Sequence, residues 1–379
     1  MTREEVNKLA LSKIDTTKCL ILELITGMGK TKVSIDLINH ICDRVFNNYN
    51  TETSILILVA KTVHKQTWKE EILKWGGINS DNITIECYES LHKYKNACFD
   101  VVIADEMQHL SEARLKVLKT ISIEESFIGL SATIKKKMRD YFIDNYKAQI
   151  IKCGLKEAVE DEVLPEPTVY LIPLKLDTTK YNYKIKSFGR EIITTQRGYY
   201  VSLSSLIEWY KDKYYNSNNQ KMKNLWLSTA GKRLKWCAEQ KEALVLEILS
   251  KFKNYKTLTF CSSIEQSEKL GKYNITSKNK ASVRNLEMFN ENKIKHITAC
   301  NILNEGVNLT NCRIGIFCNL NSSEIVVKQR VGRILRHKAP IIIIPYFKDT
   351  REEELVEKMI EEYSKNSIKV IININDIKL

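Results

Sequence analysis

The chain has 379 residues, 43% of them hydrophobic and 28% charged, with only 13 Gly and 5 Pro. That is a globular composition, and the length suffices for two domains with substantial cores. The net charge of +13 points to a polyanionic partner, nucleic acid before an anionic membrane, although Lys-, Asn- and Ile-rich usage also follows from an AT-biased genome. The N-terminal Met-Thr-Arg-Glu-Glu lacks an apolar leader, and the longest greasy run, Ile341–Ile344, is too short to span a bilayer. A cytoplasmic monomer with no membrane partner is expected (in a host's cytoplasm, if phage-encoded). Ten cysteines without a C-x-x-C pair argue for reduced thiols rather than zinc or disulfides.

Residues 19–150 alternate short β-type runs with helical stretches. Strands are expected at 19–25, 54–60, 82–87, 100–104 and 126–130, and helices at 30–46, 62–75, 111–120 and 134–146. This rhythm predicts an α/β domain built on a parallel sheet. Leu164-Pro-Glu-Pro167 breaks it, because two prolines do not fit inside regular structure. From about 256 the rhythm returns, with strands at 256–261, 295–300, 313–319 and 340–347 and helices at 263–271, 282–291, 323–335 and 350–364. The expected organisation is a first domain over 1–165, a linker and accessory element over 166–240, and a second α/β domain over 241–379.

Chemistry concentrates at the ends of these strands. Thr26-Gly27-Met28-Gly29-Lys30-Thr31 follows an apolar strand and opens a helix. That context points successive backbone N–H groups at a polyphosphate, with Lys30 reaching the β/γ-phosphates and the Thr31 hydroxyl ligating Mg²⁺. The full G-x-x-x-x-G-K-[ST] pattern wants glycine at position 24, where this chain has Leu24. Further on, Val101–Ala104 delivers Asp105 and Glu106 at a strand's carboxyl end. Asp105 would hold the metal, and Glu106 would orient or deprotonate the attacking water. Either segment alone has an ordinary explanation; together they point to ATP and Mg²⁺ as cofactors.

Five further segments fall in order: Ile55 to Trp68, Ser131-Ala-Thr133, Phe260-Cys-Ser-Ser263, Asn304-Glu-Gly-Val-Asn-Leu309 and Gln329-Arg-Val-Gly-Arg-Ile-Leu-Arg336. Arg333 and Arg336 lie three apart on one helical face and suit a phosphate. With these seven segments, over roughly 19–345, the chain resembles the superfamily 2 helicases and translocases. It is most similar to their phage UvsW-like, type III restriction and Swi/Snf-type branch. The resemblance implies two tandem RecA-like domains. It implies that Gln108 contacts the γ-phosphate or the second domain, and that Ser131, Thr133 and Glu305 couple hydrolysis to movement. Gly306 and Asn308 would link nucleotide to nucleic acid, and Gln329, Arg333 and Arg336 would complete the ATP site, the arginines as fingers. No glutamine precedes Gln66, so the upstream glutamine that often reads adenine in this superfamily is missing.

Residues 175–240 carry 13 Lys/Arg against 5 Asp/Glu and 11 aromatics, including three of the five Trp. The expectation is a helical insert whose charges meet phosphates and whose rings stack on bases, densest at Lys232, Arg233, Lys235 and Trp236. A small helical subdomain with these rings in its core fits the same residues equally well. Lys61 is a further nucleic-acid candidate. The function expected is an ATP-dependent DNA helicase or translocase acting on duplex, forked or branched DNA. The alternatives are an RNA helicase, a motor subunit whose protein partner supplies a nuclease, and a binding module with a dead ATPase.

Overall fold

The computed structural model describes residues 1–76, 82–187, 189–300, 309–320, 330–332 and 334–378. The chain divides between Glu166 and Pro167 into two compact units, and the described residues of the stretch ending at Arg336 group with the first. Among the described residues, no cysteine forms a disulfide and no helix is long and apolar enough to cross a membrane.

In the first unit α1 (Arg3–Ile14) precedes β1 (Cys19–Leu24), α2 (Lys30–Tyr49), β2 (Ile55–Val59), α3 (Thr62–Trp75), β3 (Ile83–Cys87) and β4 (Cys98–Asp105). Then come α4 (Glu112–Leu118), β5 (Ser122–Ser131), α5 (Lys136–Tyr146), β6 (Gln149–Cys153) and α6 (Leu155–Glu160). The six strands form one sheet in the order β3-β2-β4-β5-β1-β6, every pair parallel. β1 and β2 are buried along their whole length, as strands of a parallel sheet are when helices cover both faces; β2 is apolar throughout and β1 is apolar but for Glu23. Helix ends are marked locally. A capping box between Thr2 and Glu5 starts α1, and Asn50, in the left-handed conformation, stops α2.

The second unit holds β7 (Thr168–Leu174), the hairpin β8 (Tyr181–Ser187) and β9 (Arg190–Thr195), then α7 (Gln196–Ser217), α8 (Gln220–Glu239) and α9 (Glu242–Lys251). β10 (Thr257–Phe260), α10 (Ile264–Leu270), β11 (Asn274–Ile275), α11 (Ser282–Asn290), β12 (His296–Ala299) and β13 (Ile314–Phe317) follow. β14 (Ile341–Phe347), α12 (Arg351–Ile360) and β15 (Ile368–Val370) complete it. Its sheet is also all parallel, in the order β11-β12-β10-β13-β14-β7-β15.

Two expectations are corrected. The stretch after Leu164-Pro-Glu-Pro167 is not a linker: β7 pairs with β14 on one side and β15 on the other, inside the second sheet. The basic, aromatic segment is not helical throughout, because the antiparallel β8–β9 hairpin precedes the two long helices.

One buried ion pair ties this unit together. Lys241, 1% exposed, sits 2.6 Å from the Glu352 carboxylate and also donates to the Pro345 carbonyl at 3.2 Å. The other Glu352 oxygen accepts from the Phe347 N–H at 3.0 Å. Removing one partner strands a buried charge, which costs about 3–5 kcal/mol. Lys241→Met is therefore expected to lower the denaturant midpoint of this unit sharply, and adding Glu352→Gln, which keeps the Phe347 contact, to recover most of the loss. A single variant that unfolds with the parent would remove this pair's structural role.

Candidate nucleotide site

The glycine turn after β1 has the backbone a phosphate cradle needs. Ile25 is held by the Cys153 carbonyl at 3.0 Å, and the chain then turns through Gly27 at φ 101° and Gly29 at φ 85°. Side chains rarely adopt those angles, so glycine is required at both. A Cβ on Gly29 would meet nothing within 4 Å, so the cradle is open. Gly29 is also the N-cap of α2 and offers no side-chain cap, leaving first-turn N–H groups to face a ligand. Met28 has a buried side chain, so its backbone alone is available. Lys30 Nζ donates to the Leu24 carbonyl at 2.9 Å, and Thr31 follows it in the first turn of α2. Thr26 abuts Gly332: a Cβ there would fall 2.5 Å from Thr26 Cβ, so glycine is what lets the two segments meet. Arg336, four residues on, is exposed.

β4 delivers the acids. The Trp68 indole, buried in α3, donates to Asp105 Oδ2 at 2.9 Å, and the Tyr88 hydroxyl donates to the Asp105 carbonyl at 2.9 Å. Glu106 has φ 52°, a left-handed backbone uncommon for a side chain of its kind. From there a polar chain runs across the strand ends. Gln108 Nε2 donates to Glu106 Oε2 at 2.8 Å, and Ser131 Oγ lies 2.7 Å from Gln108 Oε1 and 2.8 Å from the Thr133 carbonyl. The Thr133 N–H donates back to Ser131 Oγ at 3.2 Å, while its hydroxyl oxygen is buried without a hydrogen-bond partner. Lys30, Glu106, Gln108, Ser131 and Thr133 thus stand on adjoining elements of one sheet edge.

Sequence reasoning missed three contributors. Trp68 holds the Asp105 carboxylate; the sequence showed it only as the end of the Ile55–Trp68 segment, with no role of its own. Glu23, 5% exposed, pairs with Arg139 at 2.5 Å and accepts the Ile134 N–H at 3.3 Å, fixing the loop after Ser131. Its signal was a lone acid inside an apolar strand. Arg3 donates to the Gly27 carbonyl at 2.9 Å, and nothing in the sequence marked it.

The expected nucleic-acid cluster is corrected. Trp236 is 8% exposed and packs against Tyr199 at 5.1 Å and Tyr183 at 5.6 Å, so its ring belongs to a core. Arg233 donates to Ser204 Oγ at 2.8 Å and stacks 5.4 Å from the Tyr200 ring, and Lys235 pairs with Glu265 at 3.1 Å. Lys232 and Lys61 are exposed. Glu305, Gly306, Asn308, Gln329 and Arg333 lie outside the described residues.

Residues 240–338 match the helicase conserved C-terminal domain. A DNA 3′–5′ translocase, XPB2, from Sulfurisphaera tokodaii is 24% identical over 361 residues, covering 84% of this chain and 75% of that protein. The fold resembles the Hef helicase domain of Pyrococcus furiosus, with a TM-score of 0.55 at 13% identity, covering 93% of this chain and 97% of that one. It also resembles a fragment of a putative HsdR subunit of a type I restriction enzyme from Vibrio vulnificus, with a TM-score of 0.62 at 17% identity, covering 96% and 67%.

Desolvation, then the neighbouring Glu106 charge, pushes the Asp105 pKa from 3.8 up to about 6, against the opposing pull of the Trp68 hydrogen bond and Lys30. A carboxyl with a raised folded-state pKa binds its proton more tightly when folded. Stability is therefore lost as pH rises from about 4 to 6 and stays lost above. Asp105→Asn should raise the metal-free unfolding free energy at pH 8, by on the order of 1 kcal/mol after allowing for partial exposure. That gain should vanish below pH 4, and a pH-independent gain would refute the assignment.

Proposed function

We propose that this chain is a superfamily 2 helicase-type, ATP-driven motor that moves on or remodels duplex or branched DNA, in the UvsW-like branch. The observation that carries this reading is the hydrogen-bonded run from Glu106 through Gln108 to Ser131, beside an open glycine cradle. The residues fit the groups implied. The open turn at Gly29 and the uncapped start of α2 suit a polyphosphate. Asp105, whose ionisation is resisted by burial and by Glu106, suits a divalent cation that relieves that cost. When bound, Mg²⁺ supplies neutralisation of charge on the phosphate oxygens.

The chain's own groups do the remaining work. Lys30, which donates to the Leu24 carbonyl, would turn to the phosphates, and Thr31 and Asp105 would hold the metal. Glu106, held in place by Gln108, orients the attacking water and takes its proton. The Gln108–Ser131–Thr133 connection gives a path by which the state of the γ-phosphate shifts the loop anchored on Glu23. Arg336, with Arg333, would act as a finger on the transferring phosphoryl, worth a factor of about 10³–10⁵ in rate. DNA is favoured over RNA by the motif flavours Asp105-Glu-Met-Gln108 and Gln329-Arg-Val-Gly-Arg333 and by the name of the Sulfurisphaera relative.

ATPase rates with single-stranded, duplex, forked and four-way DNA beside RNA are the direct test. Lys30→Ala should abolish turnover. Glu106→Gln should bind ATP yet hydrolyse it at least ~10²-fold more slowly. Arg336→Ala should keep ATP binding and lose a factor of about 10³. Parental hydrolysis by the Arg336 variant would exclude the finger, and stimulation by RNA alone would overturn the DNA assignment. Affinity for duplex DNA should also fall with salt, by roughly −0.9 in log K per log salt for each phosphate neutralised; a slope near zero would argue against backbone tracking.

A further inference from the structure

A motor of this kind needs somewhere to hold unpaired bases, and the cluster around Trp236 is packed. The same two helices offer another surface. α7 and α8 run back along each other, joined at Asn218 and Asn219. Toward the sheet one face of the pair is packed: Tyr200, Leu203 and Ile207 of α7 are buried, as are Trp236 and Cys237 of α8. The far halves carry side chains just as large with nothing over them. Trp209 is 52% exposed, Tyr215 67% and Leu227 54%.

Single exposed rings are ordinary, but a run of them on one helix pair marks an interaction site. Cations interleave with the rings. Lys213 Nζ lies 5.9 Å from the Trp209 ring, and Lys223 Nζ 5.4 Å from that of Tyr214. Tyr215 stands 6.1 Å from Trp226. Over α7 and α8 together there are eight Lys and Arg against three Asp and Glu. An apolar protein surface would have to desolvate those ammonium groups uncompensated, whereas a phosphate backbone neutralises them while its bases cover the rings. Trp209 and Tyr215 are six residues apart, about 9 Å along the helix axis and about 120° around it, so they serve separate bases.

We propose that the far end of the α7–α8 pair is a stacking platform for an unpaired DNA strand. Trp209 and Tyr215 receive bases, and Lys213 and Lys223 receive phosphates. The proposal rests on the motor reading, and its test separates the two. Anisotropy of labelled oligothymidine and of blunt duplex is measured on the full chain. Trp209→Ala and Tyr215→Ala should each weaken oligothymidine binding about tenfold and leave duplex binding unchanged, with Trp209→Phe retaining most of the affinity. Lys213→Glu should flatten the salt slope for the single strand by about 0.7, an independent readout should a ring variant fold poorly. Ring variants that bind oligothymidine like a parent that itself binds would sink the platform alone. A parent that binds neither strand nor duplex would sink the motor reading. Ring-dependent preference for oligouridine would transfer the platform to RNA. A parent that sediments as a dimer and becomes monomeric on Trp209→Ala would make a second copy the occupant and overturn the proposal.

Discussion

Parallel pairing of β5 with β4 on one side and β1 on the other is the constraint from which the candidate site follows. The register sets Asp105 beside Leu130 and Glu23 beside Ser131. Three strands therefore end together, and what emerges from each is a different chemical part: glycine cradle, acid pair, hydroxyl loop. A one-residue slip in either ladder would turn the strand's side chains to the opposite face and break the Glu106–Gln108–Ser131 run. The buried apolar stretches 19–22, 101–104 and 127–130 of β1, β4 and β5 specify that alignment. The geometry of the candidate site is a by-product of core packing.

The strands and helices that build this edge were legible. The stretch 62–75 was read from sequence with the bounds of α3, and β1, β2 and β3 lie within a residue at either end of the expected runs. Apolar runs closed by Gly, Asn or acids carry their own punctuation. What sequence could not show was reach. Trp68 meets Asp105 across 37 positions, and Glu23 meets Arg139 across 116, so both contacts exist only once the sheet has formed. The left-handed Glu106 was equally hidden, since nothing in a glutamate announces a positive φ. Such strain persists where surroundings over-determine it, and here the Asp105 and Gln108 anchors on either side do so.

The basic, aromatic segment was left between two readings for a related reason. Tryptophan and tyrosine suit a core and a stacking surface equally, and composition cannot divide them. The fold divides them by position along two helices. Rings near the sheet are enclosed by Tyr183 of the hairpin, and rings beyond its reach are left in water. One stretch of sequence thus supplies both a foundation and an exposed end, and only the location of the β8–β9 hairpin separates the two.

The position of β7 reaches beyond geometry into the order of assembly. This strand follows the first unit directly, yet its partners β14 and β15 come some 170 to 200 residues later in the chain. At about 5–20 residues per second, Thr168–Leu174 would wait on the order of ten seconds or more during synthesis with both edges unpaired. The first unit has all six of its strands by Cys153 and is under no such delay. An apolar strand with two open edges is a template for pairing with other chains. The interval before β14 arrives is when this protein is most exposed to misassembly, and cellular factors that shield nascent strands would act on it then.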